Sequence, residues 1–272
     1  MKKIISIVLI FMTIFLNGCA MTNKIGWTNS DFDYIKDGMV TEIKIQNTRD
    51  KGYTFVISDQ VKLQGFYKIL SSAKGVKSKS EYVPDYNIEI EKSDGSVEKF
   101  NYVIGNPNDG GNFYSKNKFY NVSSRLDSEV FNYFEDIRKP KDFDEVYYYG
   151  VIRGSLNKFR EDTKTKDKVT LNLNDDVTIQ KYITSIELEG YKKKMKDLEI
   201  VETSKNEGQI TMSVKTTGFR TDTSSGKYVS IYKAIITFHN RGTNEEKVYY
   251  SVSNNSGGKW VTDITDSEPK GF

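Results

Sequence analysis

The chain has very few of the side chains that most often carry enzyme chemistry. Its 272 residues include one cysteine, Cys19, and one histidine, His239. Zinc sites built from cysteine and histidine need more ligands than these two residues supply. A serine–histidine–aspartate triad would have to use His239, which ends a predicted strand and precedes a predicted turn at 240–244. The alternative, which we prefer, is a structural histidine. The composition therefore predicts a non-catalytic protein without a cofactor.

Long apolar runs are absent, except at the start of the chain. Residues 4–16 form an apolar run behind Lys2 and Lys3. The run is shorter than the roughly 20 apolar residues that span a bilayer. A basic start, a short apolar middle and small residues at its end are typical of a secretory signal peptide.

The end of this run, Leu16-Asn17-Gly18-Cys19, resembles the bacterial lipobox. The resemblance implies that residues 1–18 are removed and that Cys19 carries a diacylglyceryl group. Asn17 departs from the small or β-branched residue usual at its position, and the alternative is an ordinary signal peptide with an incidental cysteine. Two acyl chains hold a protein stably at a membrane. We therefore expect a lipoprotein anchored on the extracytoplasmic face of the cell membrane.

Neither sign of charge is in large excess. The formal net charge is +3, and it falls to +1 once Lys2 and Lys3 are removed. No strong basic field remains, so the sequence predicts no nucleic-acid partner. The lysines at 192–194 are expected on a solvated helix face, and attraction to anionic lipid headgroups is the alternative.

Only four prolines occur, and Pro140 lies in the charged segment 138–142, which we interpret as a domain boundary. Residues 19–38 are polar and lack periodicity, which predicts a lipidated N-terminus and flexible tether. Residues 39–139 and 140–272 are long enough for two modest domains without disulfides. Because 13% of residues are aromatic and strand-like segments are frequent, we expect an α+β fold with antiparallel sheets.

The first half contains alternating and helical patterns in turn. Alternation over a period of two predicts strands, and apolar spacing of three and four predicts helices. The predicted strands cover residues 40–45, 53–57, 86–91, 100–104, 112–114 and 119–122, and the predicted helices cover 63–73 and 126–137. The turn Ser93-Asp94-Gly95-Ser96 predicts a hairpin.

The second half begins with helical patterns at 142–161 and 179–198. Five predicted strands follow, at 198–203, 209–217, 228–239, 246–253 and 260–264. This order, with its ending Gly258-Lys259-Trp260-Val261-Thr262-Asp263-Ile264, resembles the cone-shaped NTF2-like fold. The resemblance implies a concave interior. Four side chains are candidates for lining a pocket there, with a filled core as the alternative: Tyr182, Tyr232, Phe238 and Trp260.

The chain also resembles the uncharacterised YhfM-like lipoproteins of Gram-positive bacteria. The segment that carries this resemblance runs from Pro84-Asp85-Tyr86-Asn87-Ile88-Glu89-Ile90 through Asp94-Gly95 to Tyr102. The group has no known activity that the resemblance could transfer.

The segment Asn106-Pro107-Asn108-Asp109-Gly110-Gly111-Asn112 is the most irregular part of the first half. It departs from the EF-hand pattern at Gly110 and at Asn117, where a bidentate glutamate should stand, so we predict no metal site. Binding residues concentrate on irregular loops. Four side chains are therefore candidates for a partner-contact loop: Asn106, Asn108, Asp109 and Asn112.

These observations predict a lipid-anchored, non-catalytic protein that binds a protein partner or a component of the cell envelope. The alternative is a protein that binds a small molecule or a glycan in a concave pocket of the second half. A hydrolase is a rarer form of that alternative, because sequence does not exclude a pair of carboxylates among Asp85, Glu89 and Glu91, of which Glu89 and Glu91 share a strand face.

Overall fold

A computed structural model describes residues 28–105, 107–132, 139–201, 208–222 and 229–272. These residues form two β-sheets, and each sheet packs with helices around its own apolar core. The predicted α+β class with two domains is therefore confirmed. The predicted leader 1–18 and Cys19 lie outside the described residues.

The first sheet belongs to the first half and is antiparallel throughout, in the order β2-β1-β4-β5-β6-β7-β3. Its seven strands, counted within the described residues, are β1 (Val40–Asn47), β2 (Thr54–Ile57), β3 (Lys74–Gly75), β4 (Tyr86–Lys92), β5 (Val97–Tyr102), β6 (Phe113–Tyr114) and β7 (Phe119–Asn121). The predicted strands of this half are confirmed, with small differences at their ends.

Helices cover one face of this sheet. They are α1 (Asp33–Lys36), α2 (Gln60–Leu70) and α3 (Arg125–Asn132), with a 3-10 turn at Ser30–Phe32 before α1. The side chain of Asp59 caps α2 by accepting a hydrogen bond from the Lys62 amide at 3.0 Å. The predicted apolar face of α2 is buried, since Leu63 and Leu70 are each 1% exposed or less. Residues 133–137, the predicted end of α3, lie outside the described residues.

The expected tether at 19–38 needs a correction in its second part. Phe32 and Ile35 are each 1% exposed and pack into the first core. Burying such a side chain stabilises a fold by roughly 1.5–3 kcal/mol relative to leaving it exposed. Residues 30–36 are therefore part of the folded first half, because their two apolar side chains are held in its core.

The second half begins with a π-helix at Asp144–Arg153 that continues into α4 (Gly154–Thr163). The predicted face of this helical segment is buried, including Tyr148 and Leu156. Gly150 allows the helix to approach the sheet closely, because a Cβ atom there would lie 2.5 Å from the Thr262 hydroxyl. The 3-10 turns Leu173–Asp175 and Gln180–Tyr182 follow, and α5 (Ser185–Lys194) comes next.

Among the helices of the described residues, none combines the length and apolar character that a membrane crossing requires.

The second sheet has the order β13-β12-β11-β10-β8-β9. Its strands, within the described residues, are β8 (Val169–Asn172), β9 (Leu198–Val201), β10 (Ile210–Asp222), β11 (Val229–Asn240), β12 (Glu245–Ser256) and β13 (Lys259–Thr265). The five predicted strands correspond to β9 through β13. They form the larger part of this sheet.

The expectation of a wholly antiparallel second sheet is wrong at one end. Strand β8, which the sequence patterns did not predict, pairs in parallel with both β9 and β10. Parallel neighbours need a crossover connection, and α5 supplies it between β8 and β9. All four residues of β8 are buried, so the strand lacks the alternation that would have marked it.

The two halves meet at Asp85, a fully buried carboxylate. Its Oδ1 accepts hydrogen bonds from Arg49 Nη1 at 2.7 Å and from the Ser185 amide at 2.8 Å. Its Oδ2 accepts one from the Ile104 amide at 2.9 Å. Arg49 also donates to the Ser185 hydroxyl, which donates in turn to the Val83 carbonyl. A carboxylate of the first half thus caps the first turn of α5, where negative charge is favourable.

We expect Asp85→Ala to reduce stability strongly, because it leaves the Arg49 charge and two amides without their acceptor. Removing one member of a buried ion pair costs about 3–5 kcal/mol. Urea unfolding followed by circular dichroism measures the loss. Glu98→Ala is the matched control, since Glu98 pairs with Lys92 at the surface and such pairs contribute about 1 kcal/mol or less. Equal losses in the two variants would contradict the structural role of Asp85.

A second buried carboxylate, Asp176, lies in the core of the second half and is 2% exposed. Its Oδ2 accepts hydrogen bonds from the Thr216 hydroxyl at 2.6 Å and from Tyr147 at 3.2 Å. Thr216 is also hydrogen-bonded to the buried Tyr232 hydroxyl. Burial raises the pKa of Asp176, and the hydrogen bonds from Thr216 and Tyr147 oppose this shift.

A raised pKa in the folded state means that the folded protein binds a proton more readily than the unfolded chain. Protonation of Asp176 therefore favours folding, and this contribution is lost as the pH rises through its folded pKa. We expect the stability of Asp176→Asn relative to the wild type to be higher at pH 7 than at pH 4. The reason is that the wild type gains stability when Asp176 is protonated at the lower pH. Asp162→Asn should show the opposite trend below pH 4, because hydrogen bonds from Lys158 and Tyr249 lower the pKa of Asp162 to about 2. Urea unfolding at several pH values tests this, and a pH-independent difference for Asp176→Asn would contradict it.

Candidate functional site

The face of the first sheet turned away from its core carries a row of polar side chains that crosses five strands. Strand alternation places them there, because their neighbours Ile45, Ile88 and Phe100 point into the core. Cross-strand pairing connects the adjacent strands β2, β1, β4, β5 and β6. The paired residues are Thr54↔Gln46, Gln46↔Asn87, Asn87↔Asn101 and Asn101↔Tyr114. We call these five residues the amide row.

A second row, two residues further along the strands, carries paired charges. Lys44 faces Glu89, and Glu89 faces Lys99, across β1, β4 and β5. Lys99 Nζ lies 2.7 Å from Glu89, and Lys44 Nζ lies 3.0 Å from Glu91. Hydrogen bonds to carboxylates raise the pKa of Lys44, so it stays charged. The charges of this row largely neutralise one another.

Three further lysines form one wall beside the amide row. Lys77 and Lys79 lie on the segment after β3, and Lys116 lies in the β6–β7 hairpin. All three are exposed, and none has an ion pair with any residue that the structure describes. Lys79 Nζ lies 5.5 Å from the centre of the Tyr114 ring, which is a cation–π distance. We call these three residues the lysine wall.

The loop at residues 107–112, which we call the Gly-rich loop, holds the segment of the lysine wall that carries Lys77 and Lys79. Asp109 accepts hydrogen bonds from the Ser80 hydroxyl at 2.9 Å and from the Glu81 amide at 2.8 Å. Backbone bonds join Gly111 to Ser78 and to Ser80, both at 2.9 Å. Gly110 is required for this approach, since a Cβ atom there would lie 2.4 Å from the Lys79 carbonyl oxygen. The loop thereby fixes the segment that carries Lys77 and Lys79.

Together, the amide row, the charged row and the lysine wall line a groove with a volume of about 1040 Å³. Its lining includes five lysines and one glutamate, so positive side chains outnumber negative ones there although the whole chain is nearly neutral. Amide and hydroxyl groups on the floor can both donate and accept hydrogen bonds. The arrangement can therefore hold an anionic, hydroxyl-rich ligand. The groove includes neither His239 nor a buried carboxylate.

The predicted contact loop has a mostly structural role. Asn112 is 1% exposed, and its side chain bonds to the Gly105 and Val122 carbonyls and the Val122 amide. Asn112 is therefore not a contact residue, which corrects the prediction. Asn108 and Asp109 are exposed and line a cleft of about 530 Å³ that also includes Ser185 from the second half. Asn106 lies outside the described residues.

The predicted pocket residues of the second half belong to its core or pack against it. Tyr232 is 0% and Phe238 1% exposed, and Phe238 stacks on Phe159 with ring centres 4.1 Å apart. Tyr182 and Trp260 are partly buried against the same core, and Trp260 donates a hydrogen bond to the Lys141 carbonyl at 3.0 Å. The expected pocket wall is therefore wrong for Tyr232 and Phe238, because neighbouring aromatic rings fill the space in front of them.

The other side chains that the sequence suggested for catalysis also make contacts of a structural kind. His239 is the second-to-last residue of β11 and lies 3.3 Å from the Asn244 side chain. Asp85 is enclosed by Arg49 and backbone amides, while Glu89 is partly exposed and paired with Lys99. In the part of the chain that the structure describes, no three histidine, cysteine, aspartate or glutamate residues are grouped as a metal site would need.

Comparison with known proteins gives one match. The family model described as YhfM protein matches residues 36–140, which is less than half of the chain. The resemblance noted at residues 84–102 is thus supported over the whole first sheet and includes every residue of the groove. No curated protein and no solved structure matches the chain.

Sequence reasoning missed the groove itself. The signal was present in the strand patterns, where Gln46, Asn87 and Asn101 occupy outward positions between buried neighbours. Outward polar residues are usual on a half-exposed sheet, so no single one is distinctive. Only the pairing of the strands, which are distant in sequence, shows that these side chains form one row.

Proposed function

We propose that this chain is a non-catalytic lipoprotein of the extracytoplasmic face of the cell membrane, and that its first half binds a component of the cell envelope. The observation that supports binding is the groove, in which three lysines that form no ion pair with a described residue stand beside a floor of amide groups. Anchoring rests on the lipobox-like segment that ends at Cys19. The two parts of the proposal are tested separately.

An envelope component fits this site better than a protein partner does. The cores of protein–protein interfaces are depleted in lysine and enriched in aromatic side chains, whereas the groove has exposed lysines and a polar floor. Positive potential in a groove attracts anionic ligands and raises their local concentration. The surface of a cell envelope is rich in such anionic groups.

We also infer that the second half is an NTF2-like unit that acts as a scaffold. Its helices pack with a sheet of long antiparallel strands around one core. The alternative function, a small-molecule or glycan pocket in this half, has less support because Tyr232 and Phe238 pack in the core. A glycan-binding role instead suits the groove of the first half.

Replacing Cys19 tests the anchor. We expect Cys19→Ser to move the protein from the membrane fraction to the soluble fraction, because the serine hydroxyl does not receive the diacylglyceryl group. Cell fractionation and mass spectrometry of the processed N-terminus measure this. Thr22→Ser, which leaves Cys19 unchanged, is the control. A Cys19→Ser protein that stays in the membrane fraction would contradict lipid anchoring.

Reversing the charge of the lysine wall tests the groove. We expect the triple variant Lys77→Glu, Lys79→Glu and Lys116→Glu to bind isolated, protein-stripped envelopes at least tenfold more weakly. Co-sedimentation at low salt measures the binding. The wild-type binding should weaken as salt rises, since the screening length falls from about 10 Å at 0.1 M to about 3 Å at 1 M.

The matched control makes the same charge change elsewhere, with Lys36→Glu, Lys51→Glu and Lys68→Glu. These three lysines are exposed and lie outside the groove. Equal effects of the two triple variants would show that net charge, and not the groove, decides binding. That result would contradict the proposed role of the first half.

A further inference from the structure

We propose that the ligand of this groove is an extended, negatively charged carbohydrate chain that lies across the strands of the first sheet. This inference rests on the proposed function and names the chemical class of its ligand. Three features of the groove support it: floor amides without a partner among the described residues, an aromatic end, and a lysine wall at that same end.

The floor offers hydrogen-bonding groups that the protein does not use itself. Within the described residues, the side chains of Asn87 and Asn101 have no hydrogen-bond partner. Gln46 donates from Nε2 to the Thr54 hydroxyl at 3.0 Å, which leaves its carbonyl oxygen open. A primary amide has two donors and an acceptor. Neighbouring sugar hydroxyls, each both donor and acceptor, match such a row.

The length of the floor favours a chain over a small ligand. The amide row crosses five adjacent strands, and neighbouring strands lie about 4.8 Å apart, so the row extends roughly 19 Å. A single phosphate ion or sugar ring would contact only a small part of it. A linear chain of linked rings can contact the row along its whole length.

One end of the groove is aromatic. Tyr114 and Phe119 face each other across β6 and β7, and both line the groove. Phe119 is half-buried, so part of its ring faces the groove. Sugar rings have apolar C–H faces in addition to their hydroxyl edges. Tyr114 is only 4% exposed, so the exposed part of the Phe119 ring supplies the apolar contact beside the amide floor, and the two together suit both parts of a sugar ring.

The lysine wall lies at the β6 end of the floor, where Lys79 Nζ is 5.5 Å from the Tyr114 ring and Lys116 lies in the β6–β7 hairpin. The lysines of the charged row are paired with carboxylates, whereas the lysine wall has no ion pair with a described residue. A ligand with carboxylate or phosphate groups can place those at this end against the wall while its hydroxyls meet the amides. A neutral polysaccharide would leave the wall unused, and a polyanion without sugars would leave the floor unused.

Purified full-length protein in detergent, titrated calorimetrically with defined chains, tests the inference. The probes are an oligogalacturonate, a neutral dextran of equal length, linear polyphosphate and oligothymidylate. We expect the oligogalacturonate to bind at least tenfold more tightly than each of the other three. The floor variant Asn87→Ala with Asn101→Ala should lose at least tenfold in that affinity, and the lysine-wall triple variant should lose as much.

Matched controls distinguish the loss of the groove floor from a general effect of removing amide side chains. Gln60→Ala with Asn254→Ala removes two amides outside the groove and should leave the affinity unchanged. Thermal unfolding of each variant checks that the fold is intact. All of these side chains reach solvent, so we expect only small changes in stability.

Four results would overturn the inference. These are no binding of oligogalacturonate, equal binding of dextran, equal or tighter binding of polyphosphate or oligothymidylate, and an unchanged affinity in the floor variant. If any of these occurs while the lysine-wall variant still loses envelope binding, the ligand class is wrong and the proposed function stands. If envelope binding does not depend on the lysine wall, the proposed function itself fails.

Discussion

The buried carboxylate of Asp85 is the constraint on which the arrangement of the two halves depends. It accepts hydrogen bonds from Arg49 after β1, from the amide of Ile104 after β5, and from the amide that begins α5. Backbone bonds from Thr48 to Asp85 and from Asp85 to Tyr102 tie the same strand ends together. An ionised group with no exposed surface is tolerated only when its charge is matched and its acceptors are filled. The neighbouring strands β1, β4 and β5 of the first sheet are therefore held at one end by the same group that docks the second half.

This constraint also bears on the groove. Gln46, Asn87 and Asn101 lie two or three residues from Arg49, Asp85 and Ile104, on the same ends of the same strands. The side chains of the amide row thus lie close to a rigid junction at the ends of these strands. The lysine wall has a separate support, in which Asp109 and the backbone of Gly110 and Gly111 hold the segment of Lys77 and Lys79. A preorganised site of this kind loses less conformational entropy when a ligand binds.

Much of the fold could be predicted from local patterns. The apolar spacing of Leu63, Phe66 and Leu70 identified α2, and the turn at Gly95 identified the β4–β5 hairpin. The patterns failed in two places. Strand β8 shows no alternation because it is buried at every position. The polar segment at 30–36 shows no periodicity because it contains only two core residues. The site was predicted less well. The Gly-rich loop was correctly singled out as unusual, but its role is to support the wall, and Asn112 is buried within it.

The sequence by itself determined the class of the fold, the strand and helix faces, the likeness of the first half to the YhfM family, and the lone cysteine that motivates a lipid anchor. These properties are local, because each depends on residues a few positions apart. Only the tertiary structure decided that Tyr232 and Phe238 fill a core, that Asp85 joins the halves, and that amides from β1, β4 and β5 form one row beside three lysines that have no ion pair with a described residue. Each of these depends on pairing between segments far apart in the chain, and the patterns of the separate segments do not specify that pairing.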